Sequence, residues 1–286
     1  MKILKIRNLE LKNPFFLAPM AEINDIAFRL LCKKAGCGLT YTGMINPLTQ
    51  KSIELGDKPA LQLFSTSEKG IGEFIKKYDA QVSLWDFNLG CPAKTAKKLG
   101  FGIFMHHELS KIEKILKTIR ESTEKPITIK LRKSKHAFKI LKIAEKYVDA
   151  ITIHPRTQQQ GYSGKPDLEF AEKIKKSTKL PVIYSGNVDE NNVEKLLKKF
   201  DFIMIGRASL GNPDIFAKLT EKPVNKKSEK KTDFFDYLNL ARKYSLPFKQ
   251  IKLQAMNFTK GKSGATEMRR KLIKVKTIKE IKEVYT

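Results

Sequence analysis

Cys91 lies between a glycine and a proline in the stretch FNLGCPAKT (87–95), three residues after Asn88. A cysteine that only packs belongs on the apolar face of a helix, and one that ligates zinc needs Cys or His partners at metal spacing. Cys91 has neither, so its placement suggests a reaction. Lys130, near the end of the apolar run ITIKL (127–131), has two chemical readings. It is a Schiff-base amine, or a cation held near an anionic cofactor ring. His154 closes AITIH (150–154), and Arg156 follows two residues later. No second histidine or carboxylate stands at ligand spacing from His154, so no metal is expected. The adjacent pair His106-His107 reads as surface loop. Cys32 and Cys37 lie in or just past a helix, and read as core or cap residues.

Groups so far apart in the chain meet only if regular elements bring them together. Short apolar runs recur along the sequence: FFLAP (15–19), LTYT (39–42), ALQLF (60–64), LWDFN (84–88), ITIKL (127–131), AITIH (150–154), VIYSG (182–186) and FIMIG (202–206). Several are rich in Ile, Val, Phe and Tyr, as buried strands are. Between most of them lie segments of helical spacing. DIAFRLLCKKAG ends in Gly36, suited to a C-cap; SKIEKILKTIREST opens on Ser110, suited to an N-cap; DLEFAEKIKKST and DENNVEKLLKKF open on acidic residues.

Eight strand–helix alternations predict an α/β chain folded as a (β/α)8 TIM barrel. The rival, an open doubly wound sheet, would show a Gly-rich fingerprint after its first strand, where this chain has APMAEIND. Active sites of such barrels gather at the C-terminal ends of the strands. Here those ends carry Ala18-Pro19-Met20, Gln62, Asn88 with Cys91 just beyond, Lys130, His154, Ser185-Gly186-Asn187 and Gly206-Arg207. Together they describe a polar pocket. The loops after the seventh and eighth strands are the usual phosphate site, and glycines there let backbone N–H groups approach phosphate oxygens. Ser185, Gly186, Asn187, Gly206 and Arg207 are therefore assigned to a phosphate.

The 286 residues allow one large domain, or one plus a small appendage, and the formal net charge is +26. Asp and Glu are not raised to match Lys, which favours a polyanionic partner over a general lysine bias. The last 66 residues, from Glu221, hold eighteen Lys and Arg against seven Asp and Glu, more than twice the positive charge per residue of the rest. The domains expected are a barrel over 1–220, a linker over 221–233 and a basic helical domain over 234–286. No apolar run approaches the ~18 residues that span a bilayer. With three cysteines and no secretory leader pattern, a soluble cytoplasmic protein is expected. Alternating apolar and charged residues in MKILKIRNLELKN (1–13) suggest a hairpin under the barrel.

At this point the rim resembles that of the tRNA-dihydrouridine synthase family, flavin enzymes that reduce uridine in tRNA. The resemblance is carried in order by LAPMAEI (17–23), ALQLF (60–64), FNLGCP (87–92), ITIKLR (127–132), IHPRTQQQGYSGKPD (153–167), PVIYSGNV (181–188) and IMIGRASLGNP (204–213). NFTKGKSGATEMRRKL (257–272) resembles part of the family's helical RNA-binding domain. The resemblance implies that Ala18, Pro19 and Met20 line FMN and that Gln62 and Lys130 contact its ring edge. It implies that His154 hydrogen-bonds near the cofactor and that the Ser185–Asn187 and Gly206-Arg207 turns hold its phosphate. Asn88 would face the target uracil, with Arg156 as an RNA contact. Hydride would pass from flavin N5 to C6, and Cys91 would protonate C5. A thiol with an ordinary pKa of ~8.5 is protonated at neutrality, as an acid must be. NADPH, or NADH, would re-reduce the flavin in the same pocket.

Three places depart from the family pattern. Ser185-Gly186-Asn187 stands for Asn-Gly-Asp, Gly43 stands where many members have glutamate, and IKLQAMNF (251–258) replaces an Arg-Lys-His cluster. Three other functions compete. An FMN barrel acting on a small pyrimidine or enone needs no basic tail. A non-enzymatic RNA-binding protein with the barrel as scaffold would be colourless, as would an aldolase using Lys130.

Overall fold

The structure is a computed structural model and describes residues 4–50, 52–220 and 231–286. A short antiparallel hairpin, β1 (Lys5–Ile6) and β2 (Leu9–Glu10), opens the chain. Eight strands follow: β3 (Phe15–Leu17), β4 (Tyr41–Ile45), β5 (Ala60–Leu63), β6 (Leu84–Leu89), β7 (Ile127–Arg132), β8 (Ala150–His154), β9 (Val182–Tyr184) and β10 (Phe202–Ile205). All pair in parallel, in the order β3-β10-β9-β8-β7-β6-β5-β4. A parallel bridge between Phe16 and Leu39, with Leu17 N–H donating to Leu39 O at 2.9 Å, joins the two ends. This is the (β/α)8 barrel expected from the spacing, with each strand within a few residues of its apolar run.

Strand periodicity decides what the barrel encloses. Successive side chains point to opposite faces. In β7, Ile127, Ile129 and Leu131 join the core under the helices, which leaves Thr128, Lys130 and Arg132 on the inner face. In β6, Trp85, Phe87 and Leu89 face outwards, which turns Asp86 and Asn88 inwards. Lower in the barrel the interior is apolar, filled by Phe16, Leu39, Tyr41, Ala60, Leu84, Ala150, Ile183, Phe202 and Met204. Ile6 and Leu11, beside the hairpin, join that cluster, so the hairpin plugs the end of the barrel where the strands begin.

The barrel helices are α1 (Ile26–Lys34), α2 (Ile71–Tyr78), α3 (Lys94–Leu99), α4 (Leu109–Ser122), α5 (Ala137–Ala144), α6 (Leu168–Lys176), α7 (Val193–Leu197) and α8 (Ile215–Thr220). Asp25 caps α1 by accepting from Phe28 N at 2.9 Å, and Asp167 caps α6 in the same way from Phe170 N. Gly36, just past α1, has φ +93°, the left-handed conformation that ends helices. Ser110 is not a cap: α4 begins one residue before it, preceded by Glu108. The helix expected from Asp189 starts later, at Val193.

Positions 221–230 of the expected linker lie outside the described residues. Beyond them come α9 (Phe234–Lys243), α10 (Phe248–Phe258), α11 (Ala265–Lys274) and α12 (Ile278–Tyr285). Asp233 and Asp236 form a capping box at α9. The last stretch of the chain breaks into α11 and α12 at Val275–Thr277, where Thr277 turns to cap α12. Phe234 stacks on Tyr285 with ring centroids 4.6 Å apart, and Phe234, Tyr237 and Phe258 join the core that includes α1. Among the described residues no helix is long and apolar enough to cross a membrane.

Candidate active site

Every residue singled out on the strand ends lines one cavity of about 610 Å³. Parallel strands all end on the same rim, so a polar residue that closes an inward-facing position is delivered to a common space. Ala18, Pro19 and Met20 come from the end of β3, Gln62 from β5, Asn88 and Cys91 from β6 and its loop, and Lys130 from β7. His154 and Arg156 come from β8, Ser185, Gly186 and Asn187 from β9, and Gly206 and Arg207 from β10.

A buried chain of hydrogen bonds lies under Cys91. Thr128 Oγ1 donates to Asp86 Oδ1 at 2.5 Å, and Gln62 Nε2 donates to Asp86 Oδ2 at 2.5 Å. Asn88 Nδ2 donates to Gln62 Oε1 at 2.7 Å. Asn88 Oδ1 accepts the backbone N–H groups of Gly90 at 3.1 Å and Cys91 at 3.0 Å. Burial raises Asp86 to about 7 against the opposing pull of Thr128, Gln62 and Lys130. On the other side, Gly102 (φ +65°) lies so close that a Cβ would fall 2.7 Å from Cys91 O. Only glycine takes that conformation and that contact together.

The thiol of Cys91 is pushed above its ordinary pKa by burial, with Lys130 and Arg132 among the opposing influences. It therefore carries its proton at neutrality. Lys130 is lowered to about 8, first by burial and then by Arg132, with Asp86 and Cys91 pulling the other way. His154 is held far below the usual histidine range by burial and by the cations Lys130, Arg132, Arg156 and Arg207. Arg156 Nη1 donates to His154 Nε2 at 3.1 Å, so the neutral ring keeps its proton on Nδ1.

The loops after β9 and β10 form the other end. The backbone N–H groups of Gly186, Asn187, Gly206 and Arg207 reach no acceptor among the described residues. Arg207 is exposed there, its Nη2 donating to Asn187 Oδ1 at 2.9 Å. A Cβ on Gly206 would project towards Ala18 and Met20, 3.5 and 4.0 Å from their side-chain atoms. Free donors, a guanidinium and open space suit an anionic group such as a phosphate.

One expectation needs correction. His106 is not on the surface: it is 3% exposed, with Nε2 donating to Leu89 O at 2.6 Å and Nδ1 facing Ser134 Oγ at 2.7 Å. Burial lowers it to about 4, so it is a neutral brace on the strand that leads to Cys91. Arg156, expected as an RNA contact, lines the cavity and is 1% exposed, its guanidinium holding the carbonyls of Ser163 and Gly164 as well as His154. Cys32 and Cys37 are buried core residues, as expected.

Arg132, Tyr162 and Lys260 also line the cavity, beyond the residues expected there from the sequence. Arg132 donates to Gly90 O at 2.8 Å and to Gly161 O at 2.7 Å, tying the Cys91 loop to the loop after β8. Tyr162 stacks on His154, with the guanidinium carbons of Arg132 and Arg207 5.6 and 5.7 Å from its ring centre. The two-residue period from Lys130 would have found Arg132, and the same step back from Asn88 would have found Asp86. Nothing local marks Lys260, which reaches the cavity from the end of α10. No group of three or more His, Cys, Asp or Glu side chains is placed to hold a metal among the described residues.

A model of the family described as "Dihydrouridine synthase (Dus)" matches residues 16–285. The chain is similar to tRNA-dihydrouridine synthase B of Pasteurella multocida, with 32% identity over 240 residues, 74% of this chain and 70% of that protein. It is 31% identical to a probable tRNA-dihydrouridine synthase of Rickettsia bellii over 239 residues, 76% of this chain and 73% of the relative. Among solved structures, morphinone reductase in complex with tetrahydroNAD aligns with a TM-score of 0.52 and 12% identity, over 75% of this chain and 88% of that one. An old yellow enzyme homologue of Zymomonas mobilis aligns at 0.55 and 11%, over 79% and 93%. These two likenesses concern the fold.

Proposed function

Because the chain belongs to the dihydrouridine synthase family, we propose that its rim pocket holds FMN and reduces the C5–C6 double bond of a uridine in tRNA. One observation carries the reading: a protonated thiol, a lysine and a set of phosphate-type donors converge on one cavity. The residues present fit the cofactor. Gly186, Asn187, Gly206 and Arg207 would hold its phosphate, since their N–H groups and the guanidinium are otherwise uncommitted to backbone partners. Ala18, Pro19 and Met20 give an apolar wall, and Gln62, Lys130 and His154 a polar edge. When bound, the flavin supplies the hydride, and NADPH or NADH restores it.

The chain's own part is to hold the base and move one proton. Cys91 retains its proton at neutral pH and would release it to C5 of the uracil as general acid. Its raised pKa lets it act as a proton reservoir that is not drained by bulk solvent at pH 7. Asn88 fixes the thiol's loop through two accepted N–H bonds, and one hydrogen of its amide is left for a ligand. Arg132 and Arg156 lock the loops around the site and do not reach outwards. A base can enter only if it leaves the RNA stack, since the reacting groups lie inside the rim. The net charge of +26 suits attraction of tRNA phosphates by counterion release.

The test has two readouts. The purified protein should be yellow, and incubation with NADPH and unmodified tRNA should raise dihydrouridine by mass spectrometry. A colourless protein that takes up no FMN overturns the cofactor. A yellow protein that leaves tRNA unchanged but reduces a small enone or free pyrimidine overturns the substrate.

A further inference from the structure

We propose that α10 is a brace of the flavin pocket, with Gln254 as a positioning residue for the loop that lines it. The inference rests on the flavin reading above. The loop from Met20 to Asp25 leaves β3 and carries Met20 and Ala21 into the cavity wall. Glu22 within it has φ +60°, a conformation that a non-glycine residue keeps only when its surroundings hold it.

The hold comes from the C-terminal helices. Gln250 Nε2 donates to Glu22 O at 2.7 Å and to Asp25 Oδ2 at 2.6 Å. Four residues on, and so on the same face of α10, Gln254 Nε2 donates to Ile23 O at 2.7 Å and to Asp25 Oδ2 at 3.2 Å. Tyr237 of α9 adds its hydroxyl to the same oxygen at 3.1 Å. The other carboxylate oxygen of Asp25 caps α1. Gln254 has no exposed surface, so its amide is committed to this contact.

The far end of α10 engages the phosphate side. Gly211 approaches so closely that a Cβ there would lie 2.1 Å from Asn257 O. Lys260 Nζ donates to Arg207 O at 2.9 Å while lining the cavity. One helix thus grips the loops after β3 and β10, which follow neighbouring strands and together line the pocket. It is the same IKLQAMNF stretch that departs from the family's basic cluster. In this chain its amides serve the pocket.

The test is FMN affinity of the full chain by fluorescence titration, with the visible spectrum of the bound flavin as a second readout. Gln254→Met keeps the bulk and removes the donor. Lys252→Met is the control, since Lys252 donates to Ile273 O and Val275 O within the helical unit. Gln254→Met should weaken FMN binding at least tenfold and shift the bound-flavin spectrum, while Lys252→Met binds as the parent does. If Gln254→Met does not fold, the half-buried Gln250→Met replaces it with the same expectation. Binding within twofold of the parent with an unchanged spectrum overturns the brace, as does an equal loss in Lys252→Met. A parent protein that binds no FMN overturns the flavin reading instead.

Discussion

The backbone N–H of Cys91 donates to Asn88 Oδ1 at 3.0 Å, and that bond sets the polarity of everything beneath it. A backbone N–H can only donate, so Asn88 must present oxygen to Gly90 and Cys91. Its nitrogen then faces Gln62 Oε1, and the nitrogen of Gln62 faces Asp86. Two side-chain amide orientations follow from one backbone bond, and the chain must end on an acceptor.

Asp86→Asn can keep an oxygen towards Gln62 and turn its NH2 to the Thr128 hydroxyl. Asp86→Leu cannot, and leaves a buried amide unpaired at a cost of about 1–3 kcal/mol. Urea denaturation should therefore show Asp86→Leu destabilised by that amount and Asp86→Asn by less than half of it. Equal losses would mean that the acceptor is not what the chain needs.

Cys91→Ala should bind FMN as the parent does, because the thiol contributes nothing to the donors of the phosphate end. Dihydrouridine formation should fall by about 10²–10⁴-fold, the range for loss of a general acid. A variant that modifies tRNA at the parent rate assigns the proton to another group.

Lys130, lowered to about 8, is half neutral at pH 8, where an ordinary lysine near 10.4 is neutral in under ~1% of molecules. In flavin-free protein a brief acetic anhydride pulse at pH 8 should acetylate Lys130 ahead of surface lysines, read by peptide mass spectrometry. FMN should protect it. Labelling at the surface rate contradicts the depressed pKa.

Gly100 and Gly102 offer a matched pair. Both have positive φ, +78° and +65°, but a Cβ on Gly100 meets nothing within 4 Å. Gly100→Ala should cost only the backbone strain, about 1 kcal/mol. Gly102→Ala adds a collision with Cys91 and should lower both stability and the rate of dihydrouridine formation more than Gly100→Ala does. Stability curves and turnover of the two variants give the comparison.

His106 is buried and neutral, lowered to about 4 from an unfolded value of ~6.5. Between those values the unfolded chain binds more protons than the folded one, so stability rises with pH there and is lost as pH falls from 6.5 towards 4. The full effect is on the order of 3 kcal/mol, and His154 adds to it in the same direction. Denaturation midpoints from pH 7 to 4.5 should fall less steeply in His106→Gln. Parallel curves would show that His106 binds protons alike in the folded and unfolded chain, and so is not held neutral by the fold.

Much of this site was legible in the sequence because strands have a period of two and parallel strands share a rim. Gln62, Asn88, Lys130 and His154 each lie within the last three residues of an apolar run, and a barrel must deliver them to one place. Arg132 lay one period beyond Lys130 and could have been read the same way. The inward turn of His106 could not. Whether a loop residue turns outwards or inwards depends on which carbonyls it meets, and those belong to segments with no regular spacing.

The sequence by itself determined the barrel, the rim and the groups gathered there, since alternation and strand order are local properties repeated eight times. It also determined the basic surface. Only the tertiary structure decided that Asp86 anchors the Cys91 loop through two amides, and that Gln254 and Lys260 reach the pocket. Those contacts join residues up to 231 positions apart, such as Gln254 and Ile23, and depend on how the C-terminal helices dock. Docking is set by shape and by paired buried polar groups, which leave no period in the chain.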